Sequence, residues 1–431
     1  MRILLGEIEV AGYSKGLAAG LIEKGHQVYS LSNNTHPFGY QDNLISSQPK
    51  LISRFCAVMK QLNNPSQLSS FRFFILRFKK NFYGTIVLFW SLFVCDTYIF
   101  NFGVTLLPRQ IDLLVLKVFR KTTIVNIGFG SDLRLPFING TYLTSEDSHL
   151  PANENYIVSK VIEAKVKRIE KWAAVIVSCV NNCHLLSRPF LDFTHIGIPV
   201  LLPDENIKRE SVDNDFDSLN ILHAPSNSFS KGTETIERVI NRLIEDGHNI
   251  RYVKMQGVAN TEVMKHLAQC DLVVDQLYSD TPMATFASEA SAVGVPCIVG
   301  GIGWGQLSKY FRKGINETTI LIHPDELEEK LLECISSGRE KLHERGLKAK
   351  SFVEANWNAA TVSDYYLRIA NNEIEEAEYF DPSKVIYSYG MGLNEGALKS
   401  NLKAIYEEYG EEGFVTKHQG QIRAFKKLIG V

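Results

Sequence analysis

Residues 2–32, RILLGEIEVAGYSKGLAAGLIEKGHQVYSLS, decide how the first half of the chain folds. Arg2–Leu5 reads as a buried strand, Lys15–Lys24 as a helix stopped by Gly25-His26, and Gln27–Ser32 as the next strand. Strand, Gly-containing loop, helix and strand make a βαβ unit, which demands a parallel sheet with a right-handed crossover. Tyr98–Phe102, Thr123–Ile127 and Ala174–Cys179 add strands, and Lys160–Ala173 adds a helix. The pattern restarts at residues 219–255, LNILHAPSNSFSKGTETIERVINRLIEDGHNIRYVKM. Leu219–His223 is a strand, Gly232–Glu245 a helix closed by Gly247, and Arg251–Met255 a strand. A helix to Ala268, strand Leu272–Gln276, helix Ala284–Ala292 and strand Pro296–Gly300 follow. The prediction is an α/β protein of two Rossmann-like, doubly wound domains facing a cleft. The first spans 1–203, a polar acidic linker 204–217, the second domain 218–371, and a helical tail 372–431.

A chain of 431 residues, 45% hydrophobic, can bury a sizeable core without disulfides and is too apolar to be disordered. Its formal charge, 46 − 48 = −2, excludes a globally basic nucleic-acid binder. The seven scattered cysteines suit free thiols in a reducing compartment. Cys179 and Cys183 with His184 lack the second half of a zinc site, so no metal is expected. No secretory signal is read at the N-terminus, and Asn81–Cys95 is too short to cross a bilayer. It is expected to be a buried helix. Residues 71–82, FRFFILRFKKNF, carry four positive charges, five phenylalanines and no acid. Arg72, Arg77, Lys79 and Lys80 can rest on an anionic membrane, or edge a core helix.

Gly12, Gly16 and Gly20 strip one side of the first helix of side chains, letting it lie close to the sheet. The loop is not G-x-G-x-x-G, so the turn at Gly12 is an anion site or a packing device. Gly130-Ser131-Asp132-Leu133-Arg134 follows a strand where open α/β sheets bind ligands, although Asp132 and Arg134 also suit a cap and a local salt bridge. In the second half, Asn227–Thr233 joins a strand to a helix start, where amides, the helix dipole and Lys231 offer a place for a diphosphate. Asp275-Gln276-Leu277 closes a strand at the cleft, and Glu289 can accept both hydroxyls of a ribose.

The run His223-Ala224-Pro225-Ser226-Asn227, then Lys231-Gly232-Thr233, Asp275-Gln276-Leu277, Ser288-Glu289-Ala290 and Gly294-Val295-Pro296 resembles the retaining, family 4-like glycosyltransferases of the GT-B fold. That resemblance implies a transferase using a nucleotide-sugar donor, without cofactor, metal or covalent nucleophile. It implies that Lys231 holds the diphosphate, Glu289 the ribose, and that Gly130 and Asp132 face the transferred sugar. Donor contacts are expected at Gly12, Asn227, Gly232, Asp275, Gln276 and Thr281, and catalytic roles at Asp132 and Lys231. Two positions depart from the family. No Arg precedes Lys231, and Thr281, beside Asp280, stands where the first of a paired Glu belongs. Losing an Arg removes a strong bidentate partner for phosphate. The expected protein is cytoplasmic, at the inner face of the membrane, and builds a polysaccharide or glycolipid on a glycan or lipid-linked acceptor. The alternatives are a non-catalytic nucleotide-sugar binder and a sugar-nucleotide epimerase.

Overall fold

The computed structural model describes residues 1–32, 48–62, 69–143, 150–203 and 218–431; the proposed linker 204–217 lies outside them. The first sheet contains β1 (Arg2–Leu5), β2 (Gln27–Ser30), β3 (Thr97–Phe100), β4 (Thr122–Asn126), β5 (Val175–Ser178) and β6 (Phe190–Asp192). The second contains β7 (Leu219–His223), β8 (Ile250–Lys254), β9 (Leu272–Gln276), β10 (Cys297–Gly300) and β11 (Thr319–Ile322). A short β12 (Tyr379–Phe380) adds antiparallel to β6, at the edge of the first sheet. The orders are β12-β6-β5-β4-β3-β1-β2 and β11-β10-β9-β7-β8, parallel throughout apart from β12. Both are doubly wound, so the two Rossmann-like domains are as expected.

The chain does not stay in the second domain to residue 371. At Trp357–Ala359 it crosses back, held by Val200 N–H to Trp357 O (2.9 Å) and Ala359 N–H to Val200 O (3.1 Å). Helix Ala359–Ala370 then packs on helix Tyr13–Glu23, and Val362, Tyr366 and Ile369 join the core around β1. Helices Glu395–Tyr409 and Gln419–Ile429 place Leu398, Leu402, Ile405, Ile422 and Phe425 in the core on the other face of the first sheet. The tail is therefore part of the first domain. Its apolar stripes have no core of their own to bury against, and a sheet face supplies one.

The glycine stripe serves this crossing rather than the sheet. A Cβ on Gly16 would strike the carbonyl of Pro199, and one on Gly20 the carbonyl of Ala359 and the hydroxyl of Ser363. A buried polar chain ties the same layers. Asn101 donates to Ser14 Oγ (2.8 Å), Asn126 to Asn101 Oδ1 (2.7 Å), and the Tyr366 hydroxyl to Asn126 Oδ1 (2.8 Å). Tyr13 and Tyr366 hydroxyls meet at 2.8 Å.

Residues 71–82 and 81–95 belong to one helix, Ser70–Val94, started by Ser69, whose hydroxyl accepts Arg72 N–H. Only one side of it is buried, through Leu76, Gly84, Val87, Leu88, Ser91 and Leu92. The expected buried helix is thus half right: its other side faces out. No helix among the described residues is long and apolar enough to cross a membrane.

Gly20→Ala is expected to cost about 1–3 kcal/mol by overpacking, read as a lower urea midpoint. Gly305→Ala, with open space around the added methyl, is the control and should stay within about 0.5 kcal/mol.

Candidate active site

In each sheet the strand order reverses beside its first strand, and the loops leaving that point are where such sheets take ligands. In the second sheet the point is β7, flanked by β8 and β9. A cavity of about 230 Å³ lies there, lined by Ala224–Ser226 after β7, Met255–Asn260 after β8, and Ala284–Glu289 after β9. Ala11, from the loop after β1, brings the first domain to its wall.

Among the described residues Lys231 is the one cation lining this cavity. It ends the short helix Ser228–Lys231, and Gly232 (φ 72°) turns the chain directly into helix Thr233–Glu245. Its Nζ donates to Asp275 Oδ1 at 2.8 Å, with Asp275 fully buried and its Oδ2 without a hydrogen-bond partner among the described residues. Helix Thr285–Val293 starts on the cavity wall at Ala284, with no side chain capping its first amides. Glu289, one turn in, is half-buried and its Oε1 accepts from Asn260 Nδ2 at 3.0 Å. An ammonium, uncapped amides and a carboxylate thus share one small space, suited to a phosphorylated, hydroxyl-bearing ligand.

Beneath Lys231, His223 is buried with Nδ1 2.7 Å from Val274 O and Nε2 2.9 Å from Thr233 Oγ1. Nδ1 donates, since the carbonyl only accepts, so Nε2 accepts from the threonine hydroxyl. Burial lowers its pKa to about 4.

The other candidates lie off the cavity. Asn227 caps the short helix, Oδ1 accepting Ser230 N–H at 2.9 Å. Gln276 donates to Ser279 Oγ at 2.7 Å, and Thr281 Oγ1 to Asp280 Oδ1 at 3.1 Å. Gly12 (φ 84°) starts the first helix beside Ala11, but the anion position there is filled from within. Glu9 accepts the amides of Ser14 and Lys15, both at 3.1 Å. Asp132 is buried, its two oxygens accepting Gly128 and Gly130 amides at 2.7 Å each, and burial pushes its carboxyl up against the opposing pull of Lys165. This is the capping alternative for Asp132. Of the basic residues at 71–82, Lys80 turns inward to Glu7 Oε1 at 2.7 Å, while Arg72, Arg77 and Lys79 are exposed. His184 is engaged with Tyr387 O (2.7 Å) and Cys183 Sγ with Val180 O (3.3 Å). Among the described residues no group of three or more metal-ligating side chains assembles.

Sequence reasoning missed what lies where the transferred sugar was expected. Arg134 reaches across the seam between the domains to Asp280, Nε to Oδ2 at 2.8 Å and Nη2 to Oδ1 at 2.9 Å, with side chains 2% and 0% exposed. Asn181 Nδ2 donates to Asp280 O at 2.7 Å and to Thr281 Oγ1 at 3.3 Å. Arg134 Nη1 is buried without a partner among the described residues, pointing toward Gly130. Gly130 and Thr281 therefore flank an ion pair. Its sequence traces were the salt bridge that Arg134 suited, read as local, and the oddity of an acid at 280 beside the expected Glu position.

No protein-family model matches the chain, and no curated protein does. Solved structures do. The catalytic domain of starch synthase IV from Arabidopsis thaliana, bound to ADP and acarbose, gives a TM-score of 0.51 at 10% identity, covering 86% of this chain and 98% of that one. HepE of Anabaena with UDP-glucose gives 0.47 at 12% identity, covering 86% and 99%. MurG of Acinetobacter baumannii gives 0.40 at 12%, covering 85% and 99%. The fold is thus of GT-B type, two doubly wound domains across a cleft.

Removing one partner of the buried pair, as in Arg134→Met or Asp280→Leu, should destabilise by about 3–5 kcal/mol, and the double variant should recover most of it. Additive losses in urea melts would refute the coupling. Burial also lowers the pKa of His184 to about 4. Unfolded histidines bind protons near 6.5, so the stability from His184 and His223 is complete above that pH and is lost as pH falls toward 4. Asp112, pushed up to about 6 by burial, works the opposite way. A flatter fall of the urea midpoint between pH 6.5 and 4.5 in His223→Gln than in the parent is the check.

Proposed function

We propose that the protein is a metal-independent, retaining glycosyltransferase that moves a sugar from a nucleotide-sugar donor to a glycan or lipid-linked glycan. One observation carries this reading: the cavity at the β7 switch point combines Lys231, the open start of helix Thr285–Val293 and Glu289. Lys231 and the helix amides suit the diphosphate, whose charge grows as the sugar–phosphate bond breaks. Glu289 suits the ribose hydroxyls, and the loop Met255–Asn260 the base. Asp275 holds the ammonium in place before a donor arrives, at some expense to affinity, since it competes for the same charge. With no Arg beside Lys231, the helix amides carry the second share of phosphate charge. A nucleotide donor, with seven free cysteines of which six are buried, suits a cytoplasmic protein.

A second reading, a nucleotide binder that transfers nothing, is favoured by the Arg134–Asp280 pair. It occupies the place the resemblance reserves for the sugar, and a sugar there must displace a buried, hydrogen-bonded pair.

A panel of nucleotide sugars and free nucleoside diphosphates is screened by thermal stabilisation, which reports any ligand of the folded state. The stabilising sugar nucleotide is then assayed for transfer. Lys231→Ala, made with Asp275→Asn so that no buried carboxylate is stranded, should lower turnover by roughly 10²–10³-fold. Glu289→Ala should weaken donor binding by on the order of tenfold. Unchanged turnover in both variants would sink the site assignment. Equal stabilisation by diphosphate and sugar nucleotide, with no transfer, selects the second reading.

A further inference from the structure

Helix Ser70–Val94 is apolar on both sides, and among the described residues only one side has a partner in the fold. Its outer side carries Phe71 (75% exposed), Phe74 (71%), Phe78 (67%), Phe82 (55%), Phe89 (57%) and Phe93 (81%). At 3.6 residues per turn these six rings fall within an arc of roughly 100°. A helix hydrophobic all round needs an apolar environment on each side. Helix Lys50–Leu62 covers the inner side.

The charge around this face is of one sign. From Asn43 to Cys95 the sequence has no Asp or Glu and seven Lys or Arg, in a chain whose net charge is −2. Arg72 and Lys79 fall along one flank of the phenylalanine arc, and Arg77 on the other. The helix ends against another exposed apolar, basic turn. Lys121 Nζ donates to Cys95 O at 2.8 Å, and beside it Val118 (70%), Phe119 (54%) and Arg120 are exposed. The first acid after Cys95, Asp96, is paired with Arg2 at 3.8 Å.

We propose that this face lies in the plane of an anionic phospholipid bilayer, with the phenylalanines in the acyl boundary and the basic flanks at the headgroups. Rows of aromatic rings edged by cations are what such an interface retains, whereas the helix does not qualify as a span. The phenylalanines, not the four basic residues of 71–82 alone, form the contact, because Lys80 is turned inward. Lys80 also joins the face to the cleft: it holds Glu7 in the loop after β1, and that loop reaches Ala11 on the cavity wall. The docked helix so sets a lipid surface one loop away from the cavity. For the acceptor this deepens the transferase reading; for the lipid contact it stands without it.

The test is co-sedimentation of the full chain, without nucleotide, with vesicles of phosphatidylcholine containing phosphatidylglycerol and with pure phosphatidylcholine. Binding to the anionic vesicles is expected to fall roughly tenfold or more in Phe74→Ser/Phe78→Ser/Phe89→Ser, whose sites are exposed enough to leave the thermal midpoint unchanged. Arg72→Glu/Lys79→Glu should reduce it by on the order of tenfold, and salt should weaken the parent likewise. No binding by the parent, or equal binding by parent and the serine variant, overturns the proposal. So does equal binding to neutral vesicles. A lipid-free dimer of the parent that the serine variant abolishes, with vesicle binding unaltered, would instead make the face a contact between copies. Failure of transfer with intact vesicle binding would count against the transferase alone.

Discussion

Two charges removed from water hold this molecule in register. Arg134 comes from the loop after β4 and Asp280 from the loop after β9, so each charge meets its counter-charge only across the seam. Each ion apart from the other, in its buried place, would face a desolvation penalty of several kcal/mol. The two loops are therefore costly in any arrangement that separates them, and docking of the domains is specific rather than merely apolar. Asn181, which reaches from the first domain to the backbone and side chain after Asp280, adds direction to the same joint.

The cavity depends on that joint. Ala11 closes a wall otherwise built from the second domain, and its position follows from how the first sheet sits across the seam. The crossing at Trp357–Ala359 supports the same placement from behind, because the glycine stripe admits the backbones of Pro199 and Ala359 at close approach. A larger side chain on that stripe would push back the helix that carries Tyr366, and with it the Tyr13–Tyr366–Asn126–Asn101–Ser14 chain behind the loop of residues 6–12. Packing in one place and polar satisfaction in another thus converge on one loop.

Much of the fold was legible locally. Leu219–His223 and Leu272–Gln276 are strands with the boundaries their apolar runs suggested, since a strand buried on both faces writes itself as a continuous run. Lys231 and Glu289 were legible as cavity residues because helix starts and strand ends are set by short-range signals. Asp132 was less so. A carboxylate two residues after a glycine suits a cap and a ligand site equally, and its hold on the amides of Gly128 and Gly130 follows from the loop's turn rather than from a local signal. Gly12 is a similar case, since Glu9 supplies from three residues upstream the anion that the turn invites.

The sequence by itself determined the class, two doubly wound α/β domains, and the segments that would meet in the cleft, because periodicity and turn chemistry act over a few residues. It also determined that the 43–95 stretch would be basic and aromatic. Only the tertiary structure decided which side of helix Ser70–Val94 faces outward, that the tail completes the first domain, and that Arg134 meets Asp280. Those outcomes join residues 146 apart, or elements at opposite ends of the chain. Burial and ion pairing at such range follow from which surfaces are left uncovered once the local elements have formed.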